Sequence, residues 1–493
     1  MQTERFDVLI VGAGISGIGA GYHLQTRCPH KTYAILEGRD AIGGTWDLFR
    51  YPGVRSDSDM YTLGFSFRPW TAPKAIADGP AILQYVRDTA REFGIDEHVR
   101  FGTHVTRANW SSDVSQWTVE ATRDGEVVRY HCNFLFMCSG YYDYENGYTP
   151  GFDGIESFRG ALVHPQHWDP RLDYTDKRVV VVGSGATAVT LVPAMAKTAA
   201  HVTMLQRSPT YIVAAPAEDR FADALRNVSA KLAYAATRWK NILFGMGFYW
   251  FCRRYPARVK AFIVGAARRA LGAGYPVERD FAPTYGPWDQ RMCLVPDGDL
   301  FEAIKTGRAS VVTDHIDAFV SNGIRLRSGA VLPADVIVTA TGLKLSVLGD
   351  LAIDVDGKRV DLATTLAYKG MMFSGVPNLA LSMGYTNASW TLKCDLTCGY
   401  VCRLLNFMVQ RGFTKCMPRD DATVERVPMI DLRSGYVRRS IDKFPKQGTH
   451  APWRLYQNYL LDVVTLRFGR IDDGVLAFSS PERRAERLPA LAD

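Results

Sequence analysis

Two glycine-rich turns carry the most legible chemistry. Gly12-Ala13-Gly14-Ile15-Ser16-Gly17 follows the apolar run Phe6 to Val11, and Gly183-Ser184-Gly185-Ala186-Thr187-Ala188 follows Arg178 to Val182. In each, the first glycine permits a tight turn and the second lets the backbone approach a pyrophosphate. The small third position (Gly17, Ala188) lets helix and strand pack closely. The helix that opens there, continuing through Val189 in the second unit, offers free N–H groups and its positive dipole end to phosphates. The strand ends distinguish the two ligands. The run Thr32 to Leu36 ends at Glu37, twenty residues after Gly17, where a carboxylate bonds ribose hydroxyls. The run His201 to Leu205 ends at Gln206-Arg207-Ser208, where a guanidinium and a hydroxyl suit a 2′-phosphate. The second nucleotide is therefore expected to be NADP(H), not NAD(H).

Two irregular stretches accompany these turns. Residues 43–57 hold Gly43, Gly44, Thr45, Trp46, Asp47, Leu48, Arg55, Ser56 and Asp57. Paired glycines allow close approach to a flat ligand, and Trp46 could pack against it. Arg55 and Asp57 bring opposite charges together, either at a site or as a stabilising surface pair. Residues 158–169 have no helical or alternating period and are interrupted by Gly160 and Pro165, so they read as a loop between the two signatures. A further loop, Tyr275 to Pro296, contains Trp288-Asp289-Gln290-Arg291. Local composition does not single out Arg291 there.

These turns belong to an α/β chain with two Rossmann-like dinucleotide-binding domains and a helical insertion. The 493 residues suffice for two or three cores. We expect a first nucleotide domain over 1–150 and a second over 151–342, with the insertion at about 216–290. Residues 343–493 return to the first domain and form a C-terminal region. Residues 80–93 read as an amphipathic helix. Thr103–Trp110, Trp117–Ala121, Phe134–Cys138, Ala309–Thr313 and Asp335–Ala340 read as strands, and 141–154 as a linker. Residues 224–275 carry ten Lys or Arg, no Asp or Glu, and many aromatics. Two readings stay open there: a helical insertion roofing the site, or an interfacial patch touching anionic lipid. The charged end, Ser479 to Asp493, reads as a loose tail.

Composition excludes other classes. A net charge of +7 is too modest to imply nucleic-acid binding. Nine cysteines without a CxxC pair fit a reducing cytosol, and Cys394, Cys398 and Cys402, at helical spacing, read as buried helix residues, not metal ligands. A strand by Phe6 leaves no room for a signal peptide, and no apolar run reaches the ~18 residues of a membrane-spanning helix. The expected location is cytoplasmic, with peripheral contact at the inner face of the membrane left open.

The stretch 158–169 resembles the Baeyer–Villiger monooxygenase fingerprint F-x-G-x-x-x-H-x-x-x-W-[P/D], with Phe158, Gly160, His164, Trp168 and Asp169 in its fixed positions. Residues 43–57 resemble the family's second pattern through Gly43, Gly44, Trp46, Tyr51, Pro52, Gly53 and Asp57. Within this family of class B flavoproteins, the motifs at 204–211, 288–291 and 384–393 are most similar to the ethionamide-activating type of mycobacteria and to long-chain alkane-degrading flavin monooxygenases. The resemblance implies FAD in the first site and NADPH in the second. It implies Arg291 as catalytic, paired with Asp57, which would also contact both cofactors, and Val105 meeting the adenine half of FAD through its backbone. Gln290 departs from the Lys that many relatives place before that arginine. The implied activity inserts one oxygen of O2 into small apolar ketones, through a flavin C(4a)-peroxide, giving esters or lactones. Oxidation of sulfides or thioamides would accompany it. His164, on the connector, is expected to hold the two domains in orientation without carrying a proton. The alternatives are a flavin monooxygenase acting on heteroatoms or alkyl chains, a reductase without oxygenation, and a flavin-bound sensor. A homo-oligomer is left open.

Overall fold

The computed structural model describes residues 3–480. The tail read from Ser479 onward lies, from 481, outside the described residues. β1 (Thr3–Val11), the helix α1 (Ile15–Arg27) and β2 (Tyr33–Leu36) form the first βαβ unit, with β1 and β2 parallel in the register Val8↔Tyr33 to Val11↔Leu36. The last four residues of β1 and all of β2 are buried. Cover on both faces is why both read as continuous apolar runs instead of alternating. β3 (His104–Ser111), β4 (Gln116–Arg123) and β5 (Glu126–Met137) form an antiparallel meander, and β5 joins β1 in parallel, within a nine-stranded sheet. Leu379–Leu381 adds a late strand to this sheet, parallel to β5.

The second sheet is wholly parallel. β6 (Ala161–Val163), β7 (Arg178–Val182), β8 (His201–Gln206), β9 (Ala309–Thr313) and β10 (Val336–Thr339) lie in the order β9-β8-β7-β10-β6. The helix α2 (Ala186–Met195) follows β7. β6 corrects the reading of 158–169 as loop throughout. Three residues with no period of their own become an edge strand because β10, far away in sequence, supplies the hydrogen bonds. The expected linker 141–154 likewise contains a strand, Tyr142–Gly147, antiparallel to Leu343–Leu345. The segments by which the chain leaves and re-enters the first sheet therefore run side by side.

His164 sits against both of these segments. Its Nε2 lies 3.3 Å from the Gly342 carbonyl, and its Nδ1 accepts from the Gln166 N–H at 3.2 Å. A Cβ on Gly147 would come within 2.1 Å of the imidazole, so only glycine leaves room for the ring. Burial holds the His164 pKa below its ordinary value.

The insertion is helical. α3 (Ala230–Arg254) is capped by the Ser229 side chain, which accepts from the Leu232 N–H. α4 (Pro256–Leu271) restarts at Pro256, whose missing N–H costs nothing in a first turn. Arg238 pins α3 to the first domain: its buried Nη1 donates to the carbonyls of Tyr61 at 2.7 Å and Gly64 at 2.9 Å. Asp395, 3.8 Å away, supplies the countercharge. It lies on α5 (Trp390–Arg411), where Cys394, Cys398 and Cys402 are all buried.

Candidate active site

A cavity of about 700 Å³ opens between the C-terminal ends of β1 and β2, the 43–58 loop, and the start of α2. Its floor is backbone. Gly12, at φ 103°, lies so close to the β5 end that a Cβ would meet the Cys138 carbonyl at 2.7 Å. A Cβ on Gly44, at φ 55°, would come 3.0 Å from the Cα of Gly14. The first signature and the paired-glycine loop thus face each other with nothing but main chain between them. Gly17 does not line the cavity; a Cβ there would strike the Gly12 carbonyl at 1.9 Å, so it serves helix–strand packing.

Of the residues singled out by sequence, Gly12, Gly14, Ser16, Glu37, Gly44, Thr45, Trp46, Arg55, Ser56, Asp57, Val105, Ala186, Thr187, Val189 and Arg291 all line this one cavity. Glu37 accepts from the Ala13 N–H at 2.7 Å and the Arg39 N–H at 2.9 Å. Burial pushes its pKa up despite those donors. Ser16 accepts from the Trp390 indole at 2.8 Å. Val105 stands where the β3–β4 ladder is broken by a bulge. Arg55 does not pair with Asp57. It is held by Asp299, with Nη2 to Oδ1 at 3.2 Å, and so ties the 43–57 loop to the second domain.

Others stand apart from the cavity. Asp47 is buried and surrounded by Arg39, Arg50 and Arg87, with Arg87 Nη2 at 2.9 Å, which makes it the centre of a structural charge cluster. Leu48 packs against the second domain's core together with Phe49, Tyr51 and Val54. Gly53 shows why that docking demands a glycine: its φ is +75°, and a Cβ would lie 2.6 Å from Ala194 on α2. Gly183 and Ala188 pack as the turn requires, a Cβ on Gly183 meeting the Ala340 carbonyl at 2.3 Å. Gly185 is open, with nothing within 4 Å of a Cβ. Ser184 is bonded to Thr210 at 2.9 Å, and Arg207 and Ser208 are exposed beside it.

Arg291 meets Asp57 of the 43–57 loop across the cavity. Its Nη1 lies 3.6 Å from Asp57 Oδ2. Burial opposes its charge, yet Tyr141, Asp57, Tyr436 and Tyr142 around it raise its pKa, so it stays a cation at any working pH. Its Nε is buried with no partner, and so are the hydroxyls of Ser139 and Ser346, which line the same cavity. Buried donors left unpaired call for a polar ligand. With the glycine cradle, they fit a flavin dinucleotide.

Sequence reasoning missed Tyr436 and Arg439, because neither belongs to a motif. The short helix Gly435–Arg438 brings Tyr436 to Arg291 and sets Arg439 over the ring of Tyr148 at 3.4 Å. Arg439 Nη2 lies 3.5 Å from where a Gly342 Cβ would stand, beside the mouth of the second sheet. Burial and the neighbouring charge of Arg207 hold its pKa below the usual arginine value, and neither arginine has a carboxylate partner among the described residues.

Comparison with known proteins decides the family. The chain is 56% identical over 481 residues to the FAD-containing monooxygenase EthA of Mycobacterium tuberculosis (strain ATCC 25618 / H37Rv), covering 97% of this chain and 98% of that protein. The chain belongs to the FAD-containing monooxygenases. It is also 46% identical over 491 residues to the probable FAD-binding monooxygenase AlmA of Acinetobacter baylyi (strain ATCC 33305 / BD413 / ADP1), covering 99% and 98%. The flavin-binding monooxygenase-like family matches residues 72–227, and the NAD(P)-binding Rossmann-like domain matches 10–72. Among solved structures, an oxidized steroid monooxygenase bound to NADP is similar with a TM-score of 0.77 at 23% identity, covering 96% of this chain and 99% of that one. That likeness shows the fold. The glycine cradle of the first sheet is the feature of this chain that fits a flavin dinucleotide.

Proposed function

We propose that this enzyme is an NADPH-dependent Baeyer–Villiger monooxygenase that inserts one oxygen of O2 into apolar ketones to give esters or lactones, and that it also oxidises sulfides or thioamides at sulfur. The observation that carries this reading is Arg291, a fixed cation with an unpaired buried Nε, placed on the FAD cavity by Asp57 and a ring of tyrosines. When bound, FAD would take hydride from NADPH and supply the activation of O2, the second oxygen leaving as water. The chain's own residues do the rest. Gly12, Gly14 and Gly44 admit the dinucleotide against main chain, and Glu37 takes its ribose hydroxyls. Arg291 stabilises negative charge on the attacking oxygen and on the ketone oxygen. Asp57 orients Arg291 and meets both cofactors, and Val105 meets the adenine half of FAD through its backbone. Arg207, Ser208 and Arg439 converge on the 2′-phosphate of NADPH, with the open Gly185 beneath the pyrophosphate. Tyr141 stacks on Trp390 at 5.2 Å, and these aromatics close an apolar wall that keeps water from the reacting oxygen.

The domain division follows the same reading: the first domain over 1–150, the NADPH domain over 151–342 with the insertion at about 216–290, and the return from 343. As for location, we propose a cytoplasmic enzyme whose basic segment 224–275 makes peripheral contact with anionic lipid at the inner face of the membrane. The deciding experiment is product analysis with a ketone and a sulfide under NADPH and O2. Ester formation by the wild type and its loss in Arg291→Ala, with sulfoxide formation less affected, supports the reading. Sulfoxide from the wild type with no ester overturns the ketone assignment, and NADPH oxidation with neither product leaves a reductase.

A further inference from the structure

α3 has two faces. Toward the protein it buries Ala233, Tyr234, Thr237, Arg238, Ile242 and Cys252. At about 100° per residue, Leu232, Trp239, Leu243 and Trp250 fall within about 20° of one line on the opposite side. All four are exposed. A second apolar row comes from a distant part of the chain. The helical segment Tyr459–Phe468 exposes Leu460, Leu461, Val464 and Phe468. The rings of Trp239 and Tyr459 lie 5.9 Å apart, so the rows are neighbours. A contiguous apolar surface of this extent marks a contact site.

Charge says with what. Residues 224–275 hold no Asp or Glu. Some of their cations are neutralised by acids from elsewhere, Lys240 by Asp219 and Arg253 by Asp289. Lys231, Arg254 and Arg258 have no carboxylate partner among the described residues, and neither has Arg467 on the second row. Arg254 and Arg258 flank the ring of Tyr255 at 5.0 and 5.4 Å. A second copy of the chain would bring like charges face to face, whereas an anionic bilayer offers both hydrocarbon and phosphate. No helix among the described residues is long and apolar enough to cross a membrane.

We propose that the outer row of α3 and the Leu460–Phe468 row together form a lipid-docking face, whose apolar side chains enter the interfacial layer while Lys231, Arg254, Arg258 and Arg467 meet anionic headgroups. This rests on the reading that the basic segment touches lipid, and it adds the residues, the orientation and a second segment that the composition of 224–275 does not contain. It also has a consequence for substrate entry. One flank of α3 packs Ile242 and Met246 against Tyr385 and Leu392, and Tyr385 lines the FAD cavity. An apolar substrate dissolved in the bilayer is thus separated from the cavity wall by roughly one helix diameter, about 10 Å.

The test is co-sedimentation of the FAD-loaded enzyme with vesicles of phosphatidylglycerol and phosphatidylcholine, against phosphatidylcholine alone, at low and high salt. The wild type should bind the anionic vesicles and release with salt. Leu243→Glu/Trp250→Glu should lower the bound fraction about tenfold, and Phe468→Glu should do the same from the second row, with flavin content and melting temperature unchanged. If the wild type binds no vesicle, the lipid reading falls. If it binds and the variants bind equally well, lipid contact stands but this face is the wrong one. If the variants instead convert a dimer to monomer in sedimentation velocity while vesicle binding is absent, the face is an interface between copies and the proposal is overturned.

Discussion

Replacing Arg291 by alanine should separate catalysis from stability. The Arg291–Asp57 pair is 3.6 Å apart, with 33% and 38% of the two side chains exposed. At an effective dielectric of about 20, two unit charges at that distance attract by about 4 to 5 kcal/mol before desolvation is counted. The exposed third of each group faces the cavity, and screening there with side-chain ordering leaves roughly 0 to 1 kcal/mol of net stability. Arg291→Ala should therefore melt within about 2 °C of the wild type and keep its flavin. Its role toward negative charge on oxygen is of another size: losing one such donor costs about 100- to 1,000-fold in kcat. The assay is ester formation from a ketone, followed by gas chromatography alongside flavin absorbance and a thermal melt. Asp57→Asn should also slow the reaction, and it should slow Arg291→Ala by less than it slows the wild type, because part of its effect acts through Arg291 and part through the cofactors. Ester turnover within about threefold of wild type in Arg291→Ala would refute the assignment. So would loss of flavin in parallel with activity, since the cation would then serve cofactor retention.

Three further outcomes follow from the geometry. Arg439→Ala should weaken NADP+ binding about tenfold by calorimetry, leave NAD+ binding unchanged, and act like Arg207→Ala; equal loss for both nucleotides would place Arg439 away from the 2′-phosphate. Gly53→Val should destabilise by about 1 to 3 kcal/mol in a denaturant melt, because a side chain at φ +75° would press on Ala194 and Thr190 of α2; an unchanged midpoint would mean that the domain contact yields freely. His164 has a folded pKa below its unfolded value, so below a pH of about 6.5 the unfolded chain binds the extra proton and stability falls as pH falls toward the folded pKa. His164→Gln should flatten that slope on the acid side of about pH 6.5, and an unaltered slope would put the acid sensitivity elsewhere.

The legible parts of this enzyme are those whose physics is local. Gly12, Gly14 and Glu37, and Gly183, Gly185 and Arg207, are spaced by a strand, a turn and a helix that each close within about 30 residues, so composition and period reveal them. The amphipathic helix read at 80–93 is observed at Gly79–Glu92 for the same reason. The unread parts are contacts between residues hundreds of positions apart. β6 is a strand only because β10 lies beside it, and Arg55 finds Asp299 instead of its near neighbour Asp57 because the 43–57 loop docks on the second domain. Arg439 and Tyr436 carry no local signature; only the return of the chain sets them beside Arg207 and Arg291. The basic composition of 224–275 was visible from sequence alone. That four of its apolar residues share one outward line, next to Leu460–Phe468, depends on which side of α3 the first domain buries through Arg238 and Ile242. Local spacing specifies backbone geometry and ligand class. Long-range packing specifies which side chains meet, since the hydrophobic and electrostatic terms that bring them together act on proximity in space and not on separation in the chain.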